Sequence, residues 1–584
     1  MPRLLLLSLG LFLVAPLQAQ DAAAGRLAQL FSAWDAYQDE QSGLGSPDDG
    51  AASRIPVLPP ATEAAFAEEA MAWQGFLDRL RAIPADELTG EDAISAVLFE
   101  RLLEDRLTGY HFRAYRIPIT SEGGFHTSFA WTPGRISITT VEQAEQYIAL
   151  LRSWPGHVAE QIALMREGLR TGWTQPAGAI AGFDRSAAAY VTDAPEASVF
   201  WTPLAELPAT IPAAEQARLQ AEGRAAIAEA VVPGYETLAT FFRDEYLPGA
   251  RITFGASAMP DGRAYYEHLV RHFTTLDVTP EAVHELGMQE VARIRAEMDA
   301  VISAVGFDGS FADFLDLLRS DPQFYAETPE ELLSYASWIA KRMDGQMPLL
   351  FGKLPRRPYG VAPVPDEIAP NYTGGRYIPG PAEGDGAGTY WVNTYALESR
   401  PLYVMEALSF HEAVPGHHLQ IALAQELDHL PRFRRNIGLT AYEEGWALYA
   451  ERLGGEVGFY ADPYSRFGQL TYEMWRACRL VVDTGLHAFG WTRQEAIDYL
   501  ASNTALSLHE VTTEIDRYIT WPGQALGYKM GELTIRRLRA EAEDALGDRF
   551  DLRAFHDEVL AHGEVPMAVL ETIIRDWIVA HREG

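Results

Sequence analysis

The stretch HEAVPGHHLQ, residues 411–420, places three histidines and one glutamate within eight consecutive positions. A His-Glu pair followed at short range by another His is how a helix presents two nitrogen ligands and a general base to zinc, normally in the spacing H-E-x-x-H. Position i+4 from His411 is Pro415, however, and the next imidazoles belong to His417 and His418. On an ideal helix, His418 shares the face of His411 roughly 10 Å along the axis, whereas His417 points about 120° away. The residues therefore predict a metal site that an unbroken helix cannot form.

Pro415 and Gly416 predict where the helix is interrupted. Proline removes a backbone donor and clashes with the preceding turn, and glycine adds backbone freedom, so a bulge or kink is expected between the two halves of the stretch. Such an insertion would deliver His417 to the place of the usual i+4 ligand. Helical periodicity alone favours His418 instead, so both histidines are candidate ligands on this reasoning.

The segment AYEEGWALYAERLGGE, residues 441–456, supplies the best carboxylates for a third ligand. Glu444 is the first choice because it lies 27 residues after His417, near the start of a predicted helix that could cross the first. Glu443 and Glu451 are the alternatives. Two neutral imidazoles and one carboxylate suit a catalytic zinc ion, Zn2+, because a fourth coordination position stays open for water.

At these positions the sequence resembles the bacterial domain of unknown function 885 family (DUF885), whose signature is HE-x-x-P-G-H. Two further stretches resemble motifs of the family. One is E-G-W-A-x-Y-x-E at residues 444–451, and the other is R-Y-x-x-x-P-G-Q-A-x-x-Y-K-x-G at residues 517–531. The resemblance covers most of the chain loosely and is most specific in these three stretches. Because the residue after the last His of the signature is less fixed in the family, the resemblance favours His417 over His418.

The layout of the predicted ligands is similar to that of zinc peptidases with a distal Glu ligand, such as thimet oligopeptidase, neurolysin and angiotensin-converting enzyme. This resemblance implies a mainly α-helical, zinc-peptidase-like body with a few short strands near the active site. The metal ligands would be His411, His417 and Glu444. Glu412 would take the proton from the attacking water and pass it to the leaving amine. The expected substrate is a peptide or a small protein.

Several polar residues after the metal motifs are candidates for contacts with the reacting groups. Tyr528 and His487 are the candidates for stabilising an oxyanion, and Asp483, one helical turn before His487, could orient that imidazole. A plain structural hydrogen bond between Asp483 and His487 is the alternative. Arg517 or Lys529 could bind a substrate carboxylate.

Composition narrows the class of protein. The chain has 584 residues, of which 48% are hydrophobic, as in globular proteins. Its formal net charge of −34 argues against a nucleic-acid partner or an anionic membrane surface, because both attract Lys and Arg. Cys478 is the one cysteine, so neither an intramolecular disulfide nor a cysteine-based metal site is expected.

Residues 1–19 have a short basic start, an apolar run and a small residue before a polar segment, which is typical of a cleaved secretory signal. We therefore expect a periplasmic or secreted protein with no integral membrane segment after signal removal; a retained membrane anchor is the alternative. Near the predicted cleavage point there is no cysteine to carry a lipid. The remainder, residues 20–584, is interpreted as one large helical catalytic region. It has an N-terminal helical part to about 350 and a metal-site part from about 351.

Helical spacing of apolar residues predicts packed helices at residues 62–107 and 141–172, and Thr279 followed by Pro280 predicts the start of a long helix. Residues 110–140 are expected to form short strands or extended loops.

The Pro- and Gly-rich run at residues 356–395 predicts a long loop that ends in a strand at residues 388–394. Because an edge strand beside a metal helix often pairs with a substrate backbone, we expect that role for residues 390–393.

Three other functions are consistent with the residues, one of them enzymatic. A zinc hydrolase could act on a different amide or on an ester. A helical metal-binding protein without catalysis would keep the ligands but would have little reason to place Glu412 beside them. A helical scaffold protein would tolerate loss of His411 and His417.

Overall fold

A computed structural model of the chain describes residues 10–42, 55–366, 368–381 and 386–583. The chain divides into two compact units. The first comprises Met1–Phe254 with Ala258–Gly262, and the second comprises Gly255–Ser257 with Arg263–Gly584. The subdivision that the sequence predicts near residue 350 falls inside the second unit. The first nine residues of the predicted signal lie outside the described residues, and residues 10–19 begin the first helix.

The first unit is built around a long central helix. Buried Trp154 of this helix stacks on Phe129 with ring centroids 4.3 Å apart, and Thr140 caps the helix in a reciprocal pair with Gln143. Two π-helical segments, Ile227–Val231 and Phe242–Tyr246, interrupt the last helical stretch of the unit. Its helices are α1 (Gly10–Ser42), α2 (Glu63–Arg81), α3 (Gly90–His111), α4 (Phe125–Trp131), α5 (Val141–Thr171), α6 (Phe183–Ala188), α7 (Thr202–Ala205), α8 (Ala213–Ala226), α9 (Val232–Phe241) and α10 (Leu247–Gly249).

The structure confirms the helices predicted at residues 62–107 and 141–172, which are α2, α3 and α5. Between α3 and α5, where short strands or loops are predicted, the chain forms the antiparallel pair β1 (Ile119–Thr120) and β2 (Gly123–Gly124), followed by α4.

The second unit carries the predicted metal motifs. Its helix α12 begins as predicted, because the Thr279 hydroxyl accepts a hydrogen bond from Ala282 N–H and Pro280 occupies the first turn. Its elements are α11 (Gly262–Thr274), α12 (Pro280–Ala304), α13 (Phe311–Ser320), α14 (Pro329–Asp344), α15 (Met347–Leu350), β3 (Tyr359–Pro363), β4 (Gly375–Ile378), β5 (Gly388–Val392), α16 (Met405–Glu412), α17 (His417–Ala424), α18 (Thr440–Glu456), α19 (Pro463–His487), α20 (Arg493–Asn503), α21 (Leu508–Thr520), α22 (Leu526–Leu546), α23 (Leu552–Leu560) and α24 (Met567–Glu583). The prediction of a mainly α-helical protein with a few short strands is confirmed.

The sheet of the second unit has the strand order β3-β5-β4, with β3 parallel and β4 antiparallel to β5. The predicted strand at residues 388–394 is therefore the central one. Its expected role as an edge strand at residues 390–393 is wrong, because β5 inserts between the two earlier strands and both of its sides are hydrogen-bonded. Strand β4 lies at an edge of this sheet and packs near α16.

Two glycines set the approach of α18 to α22. A Cβ atom at Gly531 would collide with the carbonyl oxygen of Ala441, and one at Gly445 would lie 2.5 Å from the Cα atom of Gly531. Only residues without a side chain allow the two backbones to touch in this way. The contact fixes the position of α18 and, with it, the acidic residues of the second motif.

No helix among the described residues is both long enough and apolar enough to cross a lipid bilayer.

Candidate metal centre

The predicted interruption of the motif helix is present. Helix α16 ends at Glu412 and α17 begins at His417. Gly416 is required at the bend, because a Cβ atom there would collide with the carbonyl oxygen of His411. The bend is also held from outside, since the indole N–H of Trp446 donates to the carbonyl oxygen of Pro415 at 2.8 Å.

This bend and helix α18 bring His411, His417 and Glu444 together. Each of the three offers one ligand atom, and these atoms all lie within 4.8 Å of one another. Glu444 Oε2 is 3.3 Å from His411 Nε2 and 3.5 Å from His417 Nε2. The two imidazole rings are nearly perpendicular, with centroids 4.8 Å apart. Within the part of the chain that the structure describes, no other group of three or more His, Cys, Asp or Glu residues has this spacing.

The electrostatics of the group match a site for a cation. Burial alone would raise the pKa of Glu444, but the adjacent imidazoles of His411 and His417 hold it well below its ordinary value. Burial would likewise lower the pKa of His411, but Glu444 and Glu451 raise it to about 9. Glu444 Oε2 is buried and has no hydrogen-bond partner among the described residues. A buried carboxylate oxygen without a hydrogen bond, placed between two imidazole nitrogens, fits a divalent metal ion.

Glu451 contacts the other nitrogen of His411. Its Oε1 atom accepts a hydrogen bond from His411 Nδ1 at 2.8 Å, and Arg476 Nη2 lies 3.6 Å from the same oxygen. A carboxylate on the far nitrogen fixes the ring orientation and leaves Nε2 to bind the metal. Glu451, which the sequence leaves open as a ligand, therefore has the geometry of a group that orients His411.

The other two alternative ligands face different partners. Glu443 is hydrogen-bonded to Glu564, and burial together with this second carboxylate raises the pKa of Glu564 well above its ordinary value. His418 is buried, its Nδ1 atom lies 2.9 Å from the Tyr377 hydroxyl, and burial lowers its pKa to about 4. The structure thus groups His417, and not His418, with His411.

Glu412 lies beside the edge strand β4. Its Oε2 atom accepts a hydrogen bond from the backbone N–H of Tyr377 at 2.8 Å. That N–H therefore points to the side of β4 opposite its hydrogen bonds with β5. The neighbouring Arg376 interacts electrostatically with Glu412 and also with Tyr372 and Tyr528; although burial acts to lower the pKa of Arg376, these groups together raise it.

Tyr528 lies among arginine side chains. Arg479 stacks on its ring, with Cζ 4.1 Å from the centroid, and Arg517 Nη2 is 3.4 Å from its hydroxyl. Because Arg376 interacts with both Tyr528 and Glu412, the phenol and the predicted base lie within electrostatic reach of one guanidinium.

His487 is buried and bonded to the backbone through both ring nitrogens. Nδ1 accepts from the N–H of Ala256 and Nε2 donates to the carbonyl oxygen of Tyr518, both at 2.9 Å. Asp483 accepts from the Tyr266 hydroxyl at 2.6 Å and from Gly523 N–H at 3.1 Å. These bonds favour structural roles for both residues, and the contact of His487 with an oxyanion stays a prediction.

The predicted contact of Lys529 with a substrate carboxylate is wrong. Its side chain is fully buried, and its Nζ atom lies within 3.0 Å of carboxylate oxygens of Glu290, Glu473 and Glu532. Three acidic partners leave this ammonium group inside a buried ion network. Arg517, the other candidate, lies next to Tyr528 as described above.

The sequence reasoning missed Arg376 and Tyr377 and assigned no role to Arg476 and Arg479. The two α19 arginines had one visible signal: they are charged residues three positions apart in a largely apolar segment. Arg376 and Tyr377 lie in a Pro- and Gly-rich run, where no periodicity shows which side chain faces the metal group.

Comparisons with known proteins agree with this fold. Residues 40–574 match the family described as "Bacterial protein of unknown function (DUF885)". No curated protein matches the sequence. A crystal structure of a "putative lipoprotein from Colwellia psychrerythraea" is similar over 96% of this chain and 99% of its own, with 28% identity and a TM-score of 0.85. A second, of a "putative lipoprotein of unknown function from Shewanella oneidensis", covers the same shares with 19% identity and a TM-score of 0.69. The family match spans most of the chain, and the protein therefore belongs to the DUF885 family.

Proposed function

We propose that the protein is an exported zinc metallopeptidase. The observation that carries this proposal is the group formed by His411, His417 and Glu444, with ligand atoms within 4.8 Å of one another. Two imidazoles and one carboxylate are the donor set of open, catalytic zinc sites such as those of thermolysin-type peptidases. Zinc held by these residues would supply Lewis-acid chemistry, polarising a carbonyl group and acidifying a water molecule. The similarity in ligand layout to thimet oligopeptidase and angiotensin-converting enzyme is part of the same proposal.

Glu412 is the proposed general base. It directly follows His411 in the chain, and the Tyr377 N–H holds its Oε2 atom at 2.8 Å. One carboxylate oxygen is thereby fixed, and Oε1 is left to take a proton from the attacking water and deliver it to the leaving amine nitrogen.

The edge of β4 is the proposed binding surface for the substrate backbone. The strand is hydrogen-bonded to β5 on one side, and its other side faces Glu412 through the N–H of Tyr377. An extended peptide that lies along this side would run past the base, in the manner of strand addition. Tyr528 would donate a hydrogen bond from its hydroxyl to the oxyanion of the tetrahedral intermediate, assisted by the positive charge of Arg517 at 3.4 Å.

Export is supported by the signal-like residues 1–19 and by the lipoprotein descriptions of the two similar structures. The sole cysteine of the sequence, Cys478, is buried within α19 and is not a lipid attachment point. The proposal is therefore a periplasmic or secreted enzyme.

The test combines metal analysis with digestion of a peptide library. We expect about one zinc ion per chain, cleavage that a chelator abolishes, and recovery when zinc is added back. Glu412→Gln should retain zinc while its kcat/KM falls about 100-fold or more. The matched control is Glu426→Gln, whose carboxylate pairs with Arg356 at 3.0 Å and which should keep full activity.

The outcomes separate the competing classes. Bound zinc with no cleavage of peptides, amides or esters would indicate a metal-binding protein. Cleavage of esters or non-peptide amides alone, with the same dependence on Glu412, would indicate a different zinc hydrolase. Full metal binding after His411→Ala and His417→Ala would contradict the proposed centre.

A further inference from the structure

Three arginine side chains converge on one aromatic cluster of the second unit. Arg476 and Arg479, one turn apart on α19, hold their Cζ atoms 4.3 and 4.5 Å from the ring centroid of Trp475. Arg479 also stacks on the ring of Tyr528 at 4.1 Å. From α21, Arg517 Nη2 approaches the hydroxyl oxygen of Tyr528 to 3.4 Å. Some of their N–H donors are already used: Arg479 Nε donates to the Tyr518 hydroxyl at 2.8 Å, and Arg517 Nη2 donates to Gln524 Oε1 at 2.8 Å. Donors that are still unused could bind a planar anion.

This cluster is connected to the metal group. Arg476 Nη2 lies 3.6 Å from Glu451 Oε1, and the same oxygen accepts a hydrogen bond from His411 Nδ1. Glu451 therefore lies between Arg476 and the proposed zinc ligand His411 and contacts both.

A further arginine, Arg376 of the edge strand β4, interacts with the same phenol electrostatically. Arg376 is solvent-exposed, immediately precedes the residue that bonds to Glu412, and interacts electrostatically with Tyr528. Tyr528 thus has Arg517 of α21 at its hydroxyl and Arg479 of α19 on its ring, and it interacts electrostatically with Arg376 of β4. One of them is next to the proposed base.

The nearby carboxylates do not balance these cations. Glu514 accepts from Arg479 Nη2 at 2.9 Å and lies 3.5 Å from Arg517 Nη1, so it offsets one positive charge. Glu510 faces the same group, but burial and the charge of Glu514 raise its pKa to about 7, so it is only partly ionised near neutral pH. Glu451 is already bonded to His411, and Glu412 offsets the charge of Arg376. A positive surplus therefore remains, in a chain whose formal net charge is −34.

Donor atoms of the cluster are also left without acceptors. Arg479 is 2% exposed and Arg476 is 4% exposed, and each has a buried nitrogen, Nη1 and Nε respectively, with no hydrogen-bond partner among the described residues. Buried charged donors are normally satisfied, so unsatisfied ones beside a proposed active site indicate an anionic ligand that supplies the missing acceptors.

We propose that Arg376, Arg479 and Arg517 form a subsite around Tyr528 that binds a substrate carboxylate. The inference rests on the proposed peptidase function and specifies its substrate class: peptides that carry a carboxylate close to the scissile bond. That carboxylate is the C-terminus of the peptide or the side chain of an Asp or Glu residue.

The test compares matched substrates that differ only in this charge. The peptide of the library that is cleaved best is prepared as a free acid and as a C-terminal amide. A second pair, capped at both ends, carries Glu or Gln next to the scissile bond. For wild type we expect the charged member of one pair to have a kcat/KM about 10- to 100-fold higher, since hydrogen bonds to a charged group contribute that factor. The pair that shows the preference identifies the source of the carboxylate.

In Arg517→Gln the preference should fall below about threefold. The ratio does not depend on how much of the variant folds, because both substrates are cleaved by the same preparation. The control is Arg493→Gln on the neighbouring helix, whose guanidinium pairs with Asp516 at 2.6 Å and which should keep the wild-type ratio. A wild-type ratio near one for both pairs, or an unchanged ratio in Arg517→Gln, overturns the subsite.

A binding measurement separates this inference from the proposed function. Calorimetry with metal-free protein compares acetyl-Ala-Ala with acetyl-Ala-Ala amide. Tighter binding of the acid, lost in Arg517→Gln, supports the subsite even if no peptide is cleaved. Zinc-dependent cleavage with a ratio near one for both substrate pairs contradicts the subsite while the peptidase function stands.

Discussion

Replacing Glu451 with Gln is expected to weaken zinc binding about 10- to 100-fold, which is roughly 1.4–2.7 kcal/mol. The carboxylate is fully buried and accepts a hydrogen bond of 2.8 Å from His411 Nδ1. A glutamine has the same shape and can still offer an amide oxygen to that nitrogen. It removes the negative charge that makes the imidazole more basic, and it leaves Arg476, 3.6 Å away, without its anionic neighbour.

Zinc affinity is measured by competition with a chromophoric chelator, using metal-free wild type and variant at one pH. The control is Glu456→Gln on the same helix, whose carboxylate pairs with Arg539 at 2.7 Å away from the metal group. It should change the affinity less than about threefold, within the range of ordinary surface substitutions. The reasoning is refuted if Glu451→Gln binds zinc within threefold of wild type, or if the control weakens binding as much.

Two further perturbations test the scaffold. Burial raises the pKa of Asp483 from 3.8 to about 7, so the folded protein binds this proton more tightly than the unfolded chain, and stability is lost as the pH rises toward 7. Relative to Asp483→Asn, the free energy of urea unfolding of wild type should fall by roughly 2 kcal/mol between pH 5.5 and pH 8; parallel pH profiles would contradict this. Gly531→Ala should destabilise the protein by about 1–3 kcal/mol and weaken zinc binding, because its Cβ would collide with the Ala441 carbonyl and push α18 away. Gly455→Ala, in an open position of α18, is the control, and equal thermal stability of the two variants would refute the close-contact argument.

The interrupted motif helix is predictable from sequence because its causes are local. Pro415 and Gly416 act on their own backbone, and the spacing of the histidines shows that an unbroken helix cannot join them. The third ligand can be predicted by similar reasoning, since Glu444 is a carboxylate near the start of the helix that follows the motif. Helix positions elsewhere follow from apolar spacing and from caps such as Thr279.

The features that could not be predicted from the sequence depend on contacts between segments that are distant along the chain. The sequence separation between His411 and Glu451 is 40 residues, and no local pattern shows that Glu451 bonds to Nδ1 while Glu444 faces Nε2. Sheet order is equally non-local, because β5 pairs on both sides with strands that precede it. The prediction for Lys529 is wrong for the same reason, since two of its three acidic partners, Glu290 and Glu473, lie on other helices far away in the sequence.

The indole of Trp446 bonds to Pro415 from two residues beyond Glu444 on α18. The segment that precedes His417 is therefore hydrogen-bonded to α18, the helix that carries Glu444. A displacement of α18 should therefore move Glu444 and the segment before His417 together, so that two of the three proposed ligands keep their relative positions.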